Sequence, residues 1–194
     1  MKNQGDTWRQ NCLAAQQLRQ LLEKADADLA EEARAEGCCY CGGKLHRADY
    51  ERKARGVPEW NKRYSFCCDE DDCRRRRTPE SVRFLGRKVY AGLIVVLVSA
   101  MMHGLKPERI RRIREMLKID PSTLKRWRRW WLDNFVCSSF WKEMRARFMP
   151  LLCEETLPLS LCARFGLERC ERLLDLMQFL RPLSTCAPWK EQAM

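Results

Sequence analysis

Two groups of cysteines restrict this chain more than any other feature. Cys38-Cys39-Tyr40-Cys41-Gly42-Gly43 holds a C-x2-C pair followed by two glycines, and Cys67-Cys68-x4-Cys73 follows after a basic stretch. Two thiolates three residues apart can grip one ion only if the chain turns tightly around them, and glycine supplies that turn. Taking Cys38, Cys41, Cys68 and Cys73 gives C-x2-C…C-x4-C with 26 residues between the pairs. Four thiolates in tetrahedral array make a closed structural site, so Zn2+ is the expected cofactor. The register stays open at this stage. Cys39 or Cys67 could replace a neighbour, and His46 is a further candidate ligand.

The remaining cysteines, Cys12, Cys137, Cys153, Cys162, Cys170 and Cys186, read as ordinary buried thiols. Redox use of the C-x2-C pair is disfavoured, because no alternating strand and helix pattern surrounds it. Met1–Gln10 lacks the apolar run of a secretory signal. A reducing compartment is therefore expected, with the cysteines as thiols or ligands rather than disulfides. A catalytic metal is not expected, since the chain has two His and no H-E-x-x-H or H-x-E motif. No activated nucleophile or carboxylate constellation marks an enzyme.

Charge is the second constraint. The net charge of +11 is concentrated in the middle: residues 38–149 carry 27 basic and 13 acidic groups, while the two ends are near neutral. A concentrated basic block favours a polyanion, with nucleic acid the first candidate. The segment between the cysteine groups, Lys44–Arg63, has seven basic residues with Tyr50 and Trp60 among them. Such a mixture suits phosphate contact and base stacking, and equally suits a solvated loop whose aromatics pack on the metal core. Arg74, Arg75, Arg76 and Arg77 form an arginine run that could follow a phosphate backbone or enter a minor groove.

Apolar periodicity predicts a mainly helical chain around this small, short-stranded ribbon. Asp6–Glu36 reads as one long helix, with Trp8, Leu18, Leu21, Leu22, Ala25 and Leu29 as its apolar stripe and Gly37 as its stop. Its polar faces suit packing along another element or a second copy. Ser81–Leu85 reads as a short strand. Val89–Leu105 has no Lys, Arg, Asp or Glu over 17 residues, at the lower limit for a membrane span. Ser99, His103 and basic flanks on both sides favour a buried helix, Lys88–His103, so no membrane partner is expected.

Residues 105–131 then carry the pattern of a helix-turn-helix. A helix over Pro107–Leu117 presents Ile110, Ile113, Met116 and Leu117 on one face, and Ile119 fills a turn over Lys118–Asp120. Asp120 caps the next helix, Pro121 takes its first position, and the helix runs to about Phe135. Leu124, Trp127 and Trp131 form its inner stripe. Ser122, Thr123, Lys125, Arg126, Arg128 and Arg129 fall outward, as a recognition helix in a major groove requires. Neutralising about six phosphates would make log K fall by roughly 5 per log unit of salt. A helix starting at Ser138 or Ser139 and ending at Pro150 follows, then a helix pair over Leu157–Leu180 broken near Gly166. The chain therefore divides into an N-terminal helix (1–37), a ribbon with its basic loop (38–85), a helix-turn-helix unit (86–136) and a helical tail (137–194).

The stretch CCYCGGKLHRADYERKARG…RYSFCCDEDDCRRRRTPESVRFLGRKVY, with STLKRWRRWW after it, resembles a group of small bacterial proteins. Their parts are similar to the zinc ribbon and helix-turn-helix at the front of many insertion-sequence transposases. The likeness covers about residues 38–150. It implies Cys38, Cys41, Cys68 and Cys73 as zinc ligands and Ser122–Arg129 as the DNA reader. One departure is decisive. Transposase catalysis needs three spaced carboxylates in a much longer domain, and the 63 residues after Trp131 offer no strand context for them. The sequence thus points to a non-catalytic, zinc-stabilised protein of the bacterial cytoplasm and nucleoid that binds double-stranded DNA. It would serve a mobile element or act as a transcriptional regulator, with a transposase, another protein or a second copy as partner. An RNA-binding or adaptor subunit of a larger machine is the alternative.

Overall fold

The computed structural model describes residues 4–52, 62–86, 90–102, 118–166 and 170–185, with Glu108, Arg111 and Glu115 as single helical positions, and only the backbone of 4–15 and of 170. The fold is mainly helical, with small antiparallel sheets between an N-terminal helix and the later helices. Two compact units divide it: residues 1–92 with 168–194, and residues 93–167. Among the described residues no helix is long and apolar enough to cross a membrane.

The first unit is built on α1 (Gln4–Ala35). Its buried stripe is Leu18, Leu22, Asp26, Ala30 and Ala33, at the three- and four-residue spacing of one helix face. Leu21 is exposed and Ala25 and Leu29 are half-buried, so the core face is turned from the expected stripe and includes an acid. Trp8 lies outside the described side chains. Gly37, at φ +76°, ends the helix in the left-handed conformation that glycine adopts without strain.

The ribbon follows. Strands β1 (Leu45–Arg47), β4 (Phe66–Cys68) and β5 (Arg76–Arg77) form an antiparallel sheet in the order β1-β4-β5, and β2 (Tyr50–Glu51) pairs with β3 (Lys62–Arg63). The register sets Leu45 opposite Cys68, and His46 opposite Cys67 and thence Arg76. Leu45, Phe66, Cys38 and Cys68 are buried with Ala30 and Ala33, so the ribbon rests on the last turns of α1.

Ser81–Leu85 is not a strand; its one ladder contact is the bridge from Phe84 to Ala91. The reason is that side chains take its amides. Val82 N donates to Asp26 (2.7 Å), Ser81 N to Ser184 Oγ (2.8 Å), and Arg83 N to Ser81 Oγ (3.1 Å). Asp26, 1% exposed, also accepts from Ser81 Oγ at 2.6 Å and Arg83 Nε at 2.7 Å. This buried carboxylate ties α1 to the segment leading out of the ribbon. The last helix of the unit, α6 (Cys170–Leu180), packs along α1 and buries Leu176, Met177 and Leu180.

The second unit holds the rest of α2 (Gly92–Met101), which starts later than expected because Ala91 is held in the Phe84 bridge. The stripe of the helix expected over Pro107–Leu117 lies outside the described residues, while the helical Arg111 and Glu115 pair across one turn at 3.9 Å. Lys118 at φ +51° is left-handed, and Ile119 is buried in the turn. Then comes α3 (Pro121–Arg129), where Asp120 accepts from Ser122 N at 2.7 Å as its cap and Pro sits in the first turn. The helix continues over Trp130–Phe135 in wider i→i+5 turns, which set the rings of Trp130 and Phe135 5.7 Å apart. Ser138 caps α4 (Ser139–Met144), and α5 (Leu159–Phe165) ends at Gly166. Trp131, Phe135, Trp141 and Phe148 form a chain of buried rings, with centroids 4.9 to 6.0 Å apart.

Candidate metal centre and nucleic-acid interface

Cys38, Cys41, Cys68 and Cys73 converge, and their sulfurs all lie within 4.8 Å of one another. Cys38 Sγ stands 3.7 Å from Cys73 Sγ, and Cys41 Sγ stands 3.4 Å from Cys68 Sγ. Such a set could hold one metal ion. Backbone turns bring each pair together. In the first, Gly42 N donates to Cys38 O (2.8 Å) and Cys38 N to Gly43 O (2.9 Å), with Gly42 at φ +73°. A Cβ at Gly43 would crowd Cys68 Sγ at 3.2 Å and Cys41 Sγ at 3.3 Å and would force the exposed Glu70 side chain to move. In the second, the amides of Cys73 and Arg74 both donate to Glu70 O at 3.0 Å, and Arg74 turns the chain at φ +41°.

The strands separate the neighbouring cysteines that the sequence left as alternatives. Alternation along β4 turns Cys68 inward and Cys67 toward the other face, where its thiol meets Arg74 O at 3.4 Å. His46 lies opposite Cys67 and pairs with Asp69 at 2.8 Å, outside the cluster. Cys39 is exposed. The amides of Tyr40 and Cys41 bond Cys38 and hold its thiol down to about 6, while burial pushes the Cys68 thiol up to about 12. Of the other cysteines, Cys162 is buried as expected, but Cys137 and Cys153 are exposed. The side chains of Cys12, Cys170 and Cys186 lie outside the described residues.

The basic residues of the ribbon divide by what they touch. Arg63 is buried, donates to Pro79 O and stacks on Phe84, so it belongs to the core. Arg52 donates to Gly86 O at 2.8 Å. Arg47 and Lys62 share Asp49 at 2.8 and 3.2 Å. Trp60 lies outside the described residues. Within the arginine run, Arg77 donates to Ala33 O (3.0 Å) and Gly37 O (2.6 Å) and pairs with Glu36, so its guanidinium closes the C-terminal end of α1. Arg74 pairs with Asp71. Arg75 and Arg76 are exposed, the first over the Tyr40 ring at 4.1 Å and the second over Tyr50 at 5.6 Å. Exposed Asp69, Glu70, Asp71 and Asp72 fill the second cysteine turn beside them.

In the second unit, α3 separates its faces cleanly. Leu124 and Trp127 are buried, Ser122, Lys125, Arg126, Arg128 and Arg129 are exposed, and Thr123 is half-exposed. Arg126 donates to Thr123 Oγ1 at 2.9 Å. Four cations thus share one short, solvent-facing helix surface. The role of Asp26 escaped the sequence reading, although its position in the Leu18, Leu22, Ala30 spacing was the available signal. No protein-family model, curated protein or solved structure matches this chain.

Proposed function

We propose that this chain is a non-catalytic DNA-binding protein whose ribbon is stabilised by a structural zinc ion, acting as an accessory to a bacterial mobile element or as a transcriptional regulator. The observation that carries the reading is the exposed face of α3, where Lys125, Arg126, Arg128 and Arg129 stand outward over buried Leu124 and Trp127. A capped helix with that face, after a tight turn, suits a major groove. The four-thiolate set supports zinc on chemical grounds: soft sulfur ligands select it, and tetrahedral bonds of about 2.3 Å put sulfurs about 3.8 Å apart. The sulfur separations of 3.4 and 3.7 Å suit that ion. All four ligand positions come from the chain, which favours a structural ion over a catalytic one. Arg75 and Arg76 add two exposed cations on the first unit.

A second reading, an RNA-binding or adaptor subunit, draws on exposed Tyr40 beneath Arg75, since an open aromatic face suits an unpaired base. The acidic turn Asp69–Asp72 beside it repels phosphate and so disfavours a strand seated on that face. Metal analysis of the purified chain, with titration of duplex and single-stranded DNA, separates them. The proposal expects one zinc per chain, duplex preference, and at least a tenfold loss of duplex affinity in Arg126→Ala/Arg129→Ala with unchanged circular dichroism. Zinc with single-strand preference would transfer the function to the second reading.

A further inference from the structure

Helical geometry sorts the outward residues of α3 into different tasks. At about 100° per residue, Leu124 and Trp127 fix the buried direction, and the line opposite them passes close to Ser122 and Arg129. Lys125 and Arg126 lie about 50° to either side of that line, whereas Thr123 and Arg128 lie about 110° away, on the flanks. A helix seated in a major groove turns its outer line to the base edges and its flanks to the two phosphate walls.

Arg126 differs from its neighbours. Its guanidinium is anchored on Thr123 Oγ1 at 2.9 Å, one turn back. An anchored fork loses less rotamer freedom when it meets a ligand. Arginine pairs bidentately with the O6 and N7 of guanine, which lysine does not reproduce with the same geometry.

Resting on the duplex-binding reading above, we infer that Arg126 and Arg129 read guanines while Arg128 holds the backbone. Thr123 is then a positioning residue acting through Arg126. The spacing gives the target a form. Arg126 and Arg129 are three residues apart, about 4.5 Å along the axis, against about 3.4 Å between base pairs. Their guanines fall on adjacent base pairs or one pair apart. The preferred duplex therefore contains two G·C pairs, adjacent or one pair apart.

The test is selection of bound duplexes from a randomised library by the zinc-loaded full chain, followed by affinity measurements on the selected sequence. Selection should return a core of two G·C pairs, adjacent or one pair apart. Arg126→Lys keeps the charge and removes the fork. It should lower affinity for the selected duplex by about 5- to 150-fold, the range for one bidentate pair, and flatten preference at one base pair. Thr123→Val should blunt preference at that same base pair. Arg128→Ala should weaken all duplexes alike and reduce the salt slope by about 1. Salt-steep binding with no guanine core, or an Arg126→Lys variant that keeps both affinity and selected sequence, overturns the assignment and leaves duplex binding intact. Absence of duplex binding by the native chain overturns both.

Discussion

Replacing Asp26 by Ala tests the account of the first unit. The Asp26 carboxylate accepts from Ser81 Oγ (2.6 Å), Val82 N (2.7 Å) and Arg83 Nε (2.7 Å), and both ends of the ion pair are buried, at 1% and 3% exposure. Removing it strands a charged guanidinium whose remaining polar contact among the described residues is the 2.9 Å bond to Lys62 O, beside the Tyr64 and Phe84 rings. Breaking a buried pair from one side costs about 3–5 kcal/mol, and orphaning the Val82 amide adds to it without full additivity. A loss of about 4 kcal/mol should lower the urea midpoint by about 2 M, for an m value of about 2 kcal/mol/M. The assay is urea unfolding of the metal-loaded chain followed by far-ultraviolet circular dichroism. Asp26→Leu/Arg83→Met removes both charges and should regain most of the loss. A single variant within 1 kcal/mol of the native chain, or a double variant as unstable as the single, would refute the argument.

Three further outcomes follow from the geometry. Cys41→Ser and Cys68→Ser should lose the bound metal, whereas Cys39→Ser and Cys67→Ser should retain one ion per chain, as read by metal analysis after dialysis. Arg77→Ala should cost about 1–3 kcal/mol in unfolding titrations, because the Ala33 and Gly37 carbonyls and Glu36 lose their donor, with duplex affinity changed less than twofold. Metal affinity should rise with pH. Cys38, at about 6, is largely thiolate at neutral pH, but Cys68, at about 12, must give up its proton to the solvent when an ion binds. Calorimetry in buffers of different ionisation enthalpy should detect that proton release on metal addition, with affinity falling as pH falls; pH-independent affinity would contradict it.

Local signals carried much of this structure. Asp120 with Pro121, Ser138, and Gly37 are short-range stop and start signals, and each marks a helix end where the sequence predicts it. The four converging cysteines are legible because their spacing is a local property of two turns. Choosing Cys68 over Cys67 needed the strand alternation of β4, which a three-residue strand is too short to announce. Asp26 was hidden for another reason. Its place in the Leu18, Leu22, Ala30 spacing is a local signal, but its partner Arg83 is 57 residues away, so nothing local marks what would pair with a buried acid there. Arg63 and Arg77 illustrate the same limit. A basic run reads as solvent-facing until the carbonyls that consume its donors, Pro79, Ala33 and Gly37, are in place. Ser81–Leu85 has strand-like residues, but its amides go to side chains.

The salt dependence of duplex affinity tests the central claim most directly. The zinc-loaded chain would be titrated against a duplex between about 50 and 200 mM salt, the interval over which phosphate contacts lose most of their strength. Lys125 and Arg128, the α3 cations not assigned to bases, predict a slope of log K against log salt of about −2. A slope shallower than about −1, or no measurable binding at the lowest salt, would contradict the assignment of this chain to duplex DNA.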